Sequence, residues 1–169
     1  GIAICPLDLP GISKGKPLDK IGQRALNQGE IFFEDVHLPK EYMLITPAPA
    51  DAAGGEGGMF SGANAPMGSM AVMFGGLAKA ALDEAIKYSK DRIQGGVPIF
   101  EHKNIKLKLF EMFMMTESAR SLSRRLQLFN SMSGGSSMVH TMAGKWMSTE
   151  TAFKVASEAI QIFGGNGLS

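Results

Sequence analysis

Three stretches of this chain repeat apolar residues every three or four positions, a period that leaves little choice but long helices lying side by side. The first stretch carries Met70, Met73, Phe74, Leu77, Ala81, Ala85 and Tyr88. The second carries Ile105, Leu109, Met112, Phe113, Ala119, Leu122, Leu126 and Phe129. The third carries Val139, Met142, Trp146, Phe153, Ala156, Ile160 and Phe163. Gly95-Gly96 and Gly134-Gly135 punctuate the two connections, which are short enough for antiparallel neighbours. Ser136-Ser137 reads as the start of the third helix and Gly164-Gly165 as its stop. The spacing therefore predicts three mostly antiparallel helices over residues 67–163, with these residues as their core positions.

Residues 1–45 read differently, as strands and turns. Ile2-Ala3-Ile4-Cys5 is a short apolar run ended by Pro6, and residues 9–15 carry turn signals throughout. Ile31-Phe32-Phe33 continues to Val36 and Leu38, aromatic and β-branched, until Pro39 stops it. A lone hairpin is barely stable in water, so such strands are expected to need partners from outside this chain. Residues 46–66 hold Pro47, Pro49, Gly54-Gly55, Gly57-Gly58, Gly62 and Pro66, and read as a linker between the two parts.

Composition removes several classes of function. A hydrophobic content of 44% over 169 residues suffices for a core. A net charge of +1 gives no reason to expect nucleic acid or an anionic membrane as partner. The basic residues Lys103, Lys106, Lys108, Arg120, Arg124 and Arg125 read as a solvated helix face. No apolar run is long enough to span a bilayer. Cys5 is the single cysteine, so no internal disulfide forms, which suits a reducing compartment. His37, His102 and His140 lack a second ligand at metal spacing, so no metal site is expected. Most of the twelve methionines fall at helical core spacing, as adaptable packing.

Chemistry is best sought at the two glycine turns. Arg92 ends the first helix, where a cation complements the helix dipole; it equally offers a guanidinium fork to a phosphate. Gln161 stands on the last turn of the third helix, just before Gly164-Gly165. That glycine pair ends a helix, and it also lets backbone amides approach a bound group without side chains in the way. Each signal has an ordinary structural explanation alone; their joint occurrence is what suggests a site.

Residues 31–39 (IFFEDVHLP), 91–99 (DRIQGGVPI) and 161–167 (QIFGGNG) together resemble the acyl-CoA dehydrogenase family, in the same order and with similar spacing. The resemblance covers most of the chain and implies a piece of such an enzyme. Residues 1–45 correspond to the last strands of a middle antiparallel β domain. Residues 67–169 correspond to the first three helices of a C-terminal four-helix-bundle domain. The expected fold is mainly α, preceded by that small β remnant.

The family implies FAD as cofactor, an acyl-CoA thioester as substrate, an electron-transfer flavoprotein as electron acceptor and a homo-oligomer, dimer or tetramer. It implies a cytoplasmic enzyme, or a mitochondrial-matrix one in a eukaryote. By motif position, Arg92 and Gln161 reach across a subunit interface to the pyrophosphate and adenosine portion of a neighbour's FAD, with Gly164 and Gly165 forming the turn. Gln94 stands where a small polar FAD-contacting residue is usual, and Lys103 where a glutamine is usual; both are cofactor-binding candidates. Two departures are Gly95 in place of an aromatic residue and Met67 in place of an arginine. The family's reaction also needs a glutamate as base. Residues 64–67 (NAPM) hold no carboxylate where a minority of members carry it, so the base is expected outside this chain and the piece alone is expected to be inactive. A non-catalytic helical assembly module on the same fold is the alternative, as is a related flavin acyl-CoA oxidase or reductase.

Overall fold

The computed structural model describes residues 2–45, 55–132 and 137–168, and the chain divides into two compact units, Gly1–Gly55 and Glu56–Ser169. The first unit contains two short antiparallel pairs. Strand β1 (Ile2–Ala3) pairs with β4 (Met43–Ile45), and β2 (Ile12–Lys14) pairs with β3 (Ile31–Phe33), with Ser13 opposite Phe32. Gly11 makes the second pair possible: its φ is +87°, and a Cβ there would stand 2.2 Å from the Glu34 carbonyl oxygen. The strand expected to run on through Val36 and Leu38 stops at Phe33, because Asp35 takes a left-handed φ of +48°.

The second unit is helical, with α1 spanning Gly55–Asp91, α2 Lys103–Met132 and α3 Met138–Phe163. The type and order of the three helices match the expectation. Helix α1 begins earlier than residue 67 and takes in residues 55–66, expected as linker from their glycines and Pro66. Low propensity there is overridden by continuity with a long helix, since propagation costs far less than nucleation. The Gly134-Gly135 turn, Ser136 and residues 46–54 lie outside the described residues.

The faces that pack together match the expectation in part: Ala85, Leu109, Met112, Ala119 and Leu126 are buried as expected, but many of the larger apolar residues are not. Helix α1 buries Gly68, Ala71, Gly75, Ala78, Leu82, Ala85 and Ser89, while Met70, Met73 and Leu77 are exposed. Helix α2 buries Leu109, Met112, Thr116, Ala119, Ser123 and Leu126, whereas Phe113 and Phe129 are exposed. In α3 the buried stripe runs through Thr141, Gly144, Ser148, Ala152, Val155, Ala159 and Ile162. Its large apolar residues Val139, Trp146 and Phe153 are 77%, 71% and 73% exposed.

Small side chains explain the difference. Helices meeting through Gly, Ala, Ser and Thr bring their axes close together, which bulky residues would prevent. A Cβ on Gly144 would stand 2.0 Å from Leu126 Cδ1, so α2 and α3 come close enough here that a larger residue would displace the Leu126 side chain. Among the described residues Thr116 Oγ1 is buried without a hydrogen-bond partner, but other buried hydroxyls find one. Ser123 Oγ lies 2.7 Å from the Ala119 carbonyl of its own helix, 3.2 Å from the Ala71 carbonyl of α1 and 2.9 Å from Ser148 Oγ of α3. One serine thus touches all three helices. Toward the far end the interior turns apolar, with Leu82, Met112 and Val155 meeting in one cluster.

Candidate functional site

Helix α1 ends in a reversal that is built residue by residue. The Arg92 N–H still donates to the Tyr88 carbonyl at 2.9 Å, completing the last helical turn. The chain then forms a small hairpin, β5 (Ile93–Gln94) against β6 (Val97–Pro98). Gly95 and Gly96 carry it round with φ of +65° and +82°, the pair of left-handed residues that a two-residue hairpin turn requires. Ile99 is buried, and its N–H donates to the Arg92 carbonyl at 2.8 Å, closing the excursion. A single 3-10 turn, Ile99–Glu101, then leads through His102 into α2.

Helix α3 ends in the second turn. Gly164 takes φ +61° and ψ −131°, a region open to glycine alone, and its N–H bonds the Ile160 and Gln161 carbonyls. A 3-10 stretch, Gly164–Leu168, follows. The glycines after the stop differ. A Cβ on Gly167 would come within 2.7 Å of the Ile160 carbonyl oxygen, so Gly167 is glycine for packing. Gly165 has no left-handed φ, and a Cβ there would meet nothing within 4 Å. Neither the fold nor the backbone of this chain requires a glycine at 165.

The two turns face one cleft of about 460 Å³. Arg92 and Gln94 line it from the first turn, and Gln161, Gly164 and Gly165 from the second. Five of the six residues singled out in the sequence therefore converge, from positions as far apart as Arg92 and Gly165. Lys103 does not line the cleft. Successive helical residues turn by about 100°, and with Asn104 and Ile105 facing the cleft, exposed Lys103 is turned away. Sequence reasoning passed over Tyr88, His102, Asn104 and Asn166, which also line it. Tyr88 read as one more core position, although its hydroxyl needed a partner, and Asn166 sat unremarked beside the glycine pair.

The cleft has the electrostatics of an anion site. Among the described residues Arg92 pairs with no carboxylate, although five other ion pairs form, including Lys106–Glu101 and Lys108–Glu158. No Asp or Glu lines the cleft. The C-terminal ends of α1 and α3 each bring about half a negative charge, and the N-terminal end of α2 about half a positive one. Arg92 adds a full positive charge, which tips the balance toward an anion.

Among the described residues no three His, Cys, Asp or Glu side chains gather as metal ligands. No helix of those residues is long and apolar enough to cross a membrane.

Comparison with known proteins places this architecture. Residues 65–169 match the model of the acyl-CoA dehydrogenase C-terminal domain. The chain is 34% identical to the mitochondrial short-chain specific acyl-CoA dehydrogenase of Rattus norvegicus, over 97% of this chain and 38% of that protein. With the short-chain specific acyl-CoA dehydrogenase of Megasphaera elsdenii the identity is 35%, over 95% of this chain and 40% of that one. It thus spans about two fifths of the curated relatives it matches. The butyryl-CoA dehydrogenase structure from Megasphaera elsdenii superposes with a TM-score of 0.85 at 32% identity, over 99% of this chain and 42% of the other. A further structure, from work on the electron transferring flavoprotein of Acidaminococcus fermentans, gives 0.86 at 29% identity, over 99% and 42%. The family model covers more than half of the chain and relatives above 30% identity span nearly all of it, so the chain belongs to the acyl-CoA dehydrogenase family.

Proposed function

We propose that these residues are part of an FAD-dependent acyl-CoA dehydrogenase, and that the cleft holds the diphosphate and adenosine portion of FAD. The observation that carries this reading is the convergence of Arg92, Gln94, Gln161, Gly164 and Gly165 on one polar cleft. The cleft fits such a group. Among the described residues Arg92 pairs with no carboxylate, and no atom lies within 4 Å of where a Gly165 side chain would begin. A diphosphate calls for this combination of a charge-assisted donor and backbone that can be approached closely.

In this reading Arg92 binds one phosphate with its guanidinium, Gln94 and Gln161 donate amide hydrogens, and the Gly164-Gly165 turn lets the ligand lie against backbone. The chemistry FAD supplies when bound is acceptance of two electrons as hydride, matching loss of a β-hydrogen from a thioester. The α-proton needs a carboxylate, and none lines this cleft. We place that base outside these 169 residues and read the chain alone as inactive. Residues 1–45 stand as the end of a middle β domain in the parent.

The parent's acyl-CoA substrate and its electron-transfer flavoprotein partner follow from the family, the latter in keeping with the Acidaminococcus structure. Homo-oligomerisation, as dimer or tetramer, is supported by the exposed stripe of Val139, Trp146 and Phe153 along α3. The proposed compartment is cytoplasmic, or the mitochondrial matrix in a eukaryote, in keeping with the rat relative's being named mitochondrial.

The test is reconstitution. The longer gene product, freed of flavin and incubated with FAD, should regain flavin absorbance after gel filtration. A well-folded, flavin-free oligomer would instead identify a helical assembly module. Turnover of an acyl-CoA by the 169-residue chain itself would overturn the placement of the base. Dioxygen rather than a flavoprotein as acceptor would make the parent an oxidase.

A further inference from the structure

We propose that His102 is the positioning residue of the cleft: its Nε2–H latches the Gly95-Gly96 hairpin to the start of α2, an assignment whose cofactor consequence rests on the FAD reading above. The hairpin has two residues in each strand, too few to hold a shape unaided. Its turn residues are glycines, which have the most conformational freedom to lose. Something outside the hairpin must therefore fix Gln94, which lines the cleft, if it is to meet a ligand without an ordering cost.

His102 is placed to do this. Its own backbone is held on both sides: its N–H donates to the Ile99 carbonyl at 3.1 Å, and its carbonyl accepts from the Lys106 N–H at 3.1 Å. From this anchor the ring reaches back over the turn, with Nε2 3.1 Å from the Gln94 carbonyl oxygen. A carbonyl only accepts, so Nε2 carries the proton, and in the neutral ring Nδ1 holds the lone pair. The ring also covers Gly95, since a Cβ there would stand 3.6 Å from Cε1 and 3.8 Å from Nε2. One imidazole thus bonds the residue before the turn and packs on the first residue of it, while lining the cleft itself.

The experiment compares the wild-type longer protein with His102→Phe, which keeps a ring without the donor, and His102→Gln, whose amide restores a donor at a similar reach. Three quantities are read: the ring tautomer by nitrogen-15 NMR, amide exchange of residues 93–99, and FAD retention. The expected result is an Nε2–H tautomer, exchange about fivefold faster in His102→Phe with FAD affinity falling by a similar factor, and recovery of both in His102→Gln, as loss and return of one hydrogen bond imply. An Nδ1–H tautomer, or unchanged exchange in His102→Phe, overturns the latch. Unchanged FAD affinity with faster exchange overturns its role toward the cofactor. Wild-type protein that takes up no FAD overturns the function proposed above, while tautomer and exchange still decide the latch.

Discussion

Tyr88 stacks on Phe163 with ring centroids 4.4 Å apart and planes 19° apart, and its hydroxyl donates to the carbonyl of that same Phe163 at 3.2 Å. The contact joins the last turn of α1 to the last residue of α3, so the two turns that form the cleft are tied immediately beneath it. Asn166 Nδ2 donates to the Tyr88 oxygen at 3.2 Å, which brings the 3-10 stretch into the same knot. Tyr88→Phe keeps the stacked ring and removes both bonds. It should lower stability by about 0.5–1.5 kcal/mol, read as a shift in urea midpoint at constant slope. An unchanged midpoint would mean that the stacking alone holds the ends.

Two helical glycines should respond to alanine with opposite signs. At Gly144 a methyl would run into Leu126 Cδ1, so the buried Leu126 side chain must shift to admit it. Gly144→Ala should therefore cost about 1–3 kcal/mol. At exposed Gly76 of α1 a methyl would meet nothing within 4 Å. Gly76→Ala should stabilise by about 0.5–1 kcal/mol through helix propensity alone. Thermal unfolding of the two variants checks both signs at once.

These two glycines also show what the sequence could and could not disclose. The three helices were legible because their apolar period persists for many turns. Which face packs inward was less so: Trp146 and Phe153 stand out in a pattern, but Gly144 and Ser148, two positions to either side of Trp146, allow the closer approach and take the interior. Residues 55–66 were hidden by glycines and Pro66, whose local cost a long helix absorbs. The cleft was half legible. Arg92, Gln161 and the glycine pair lie in compact motifs, whereas Tyr88 depends on a partner seventy-five residues away. Lys103 does not line the cleft, since a motif position says nothing about which way a helical residue turns.

Trp146 is the single tryptophan and lies 71% exposed on the outer stripe of α3. If that stripe is an assembly surface, tryptophan emission of the 169-residue chain should shift to the blue as concentration rises. Trp146→Glu should hold the chain at lower mass in sedimentation, because a charge in a desolvated apolar contact is strongly unfavourable. Identical sedimentation of both proteins would remove this stripe from the interface.

Arg92 and Arg120 allow the anion site to be tested against an arginine of ordinary role. Arg120 pairs with Glu117 at 2.6 Å, and its Cγ lies 3.3 Å from where a Gly75 side chain would begin. Arg120→Ala should leave FAD retention by the longer protein unchanged. Arg92→Ala should weaken it by about 1.5–3 kcal/mol, the worth of a charge-assisted phosphate contact, or roughly tenfold to a hundredfold. Equal retention would take Arg92 out of the site.

The glycines after the α3 stop separate binding from folding most cleanly. Gly167 lies against the Ile160 carbonyl, so Gly167→Ala forces backbone apart and should lower stability by about 1–3 kcal/mol, whatever the ligand. Gly165 has open space where its side chain would be and a backbone angle that alanine accepts. Gly165→Ala should therefore unfold at the wild-type urea midpoint. If a diphosphate lies against this backbone, the added methyl stands in its path, and FAD affinity of the longer protein should fall at least tenfold while stability without flavin stays unchanged. Full flavin retention by Gly165→Ala would show that the turn is a helix stop and nothing more, and would leave the cofactor reading to Arg92, Gln94 and Gln161.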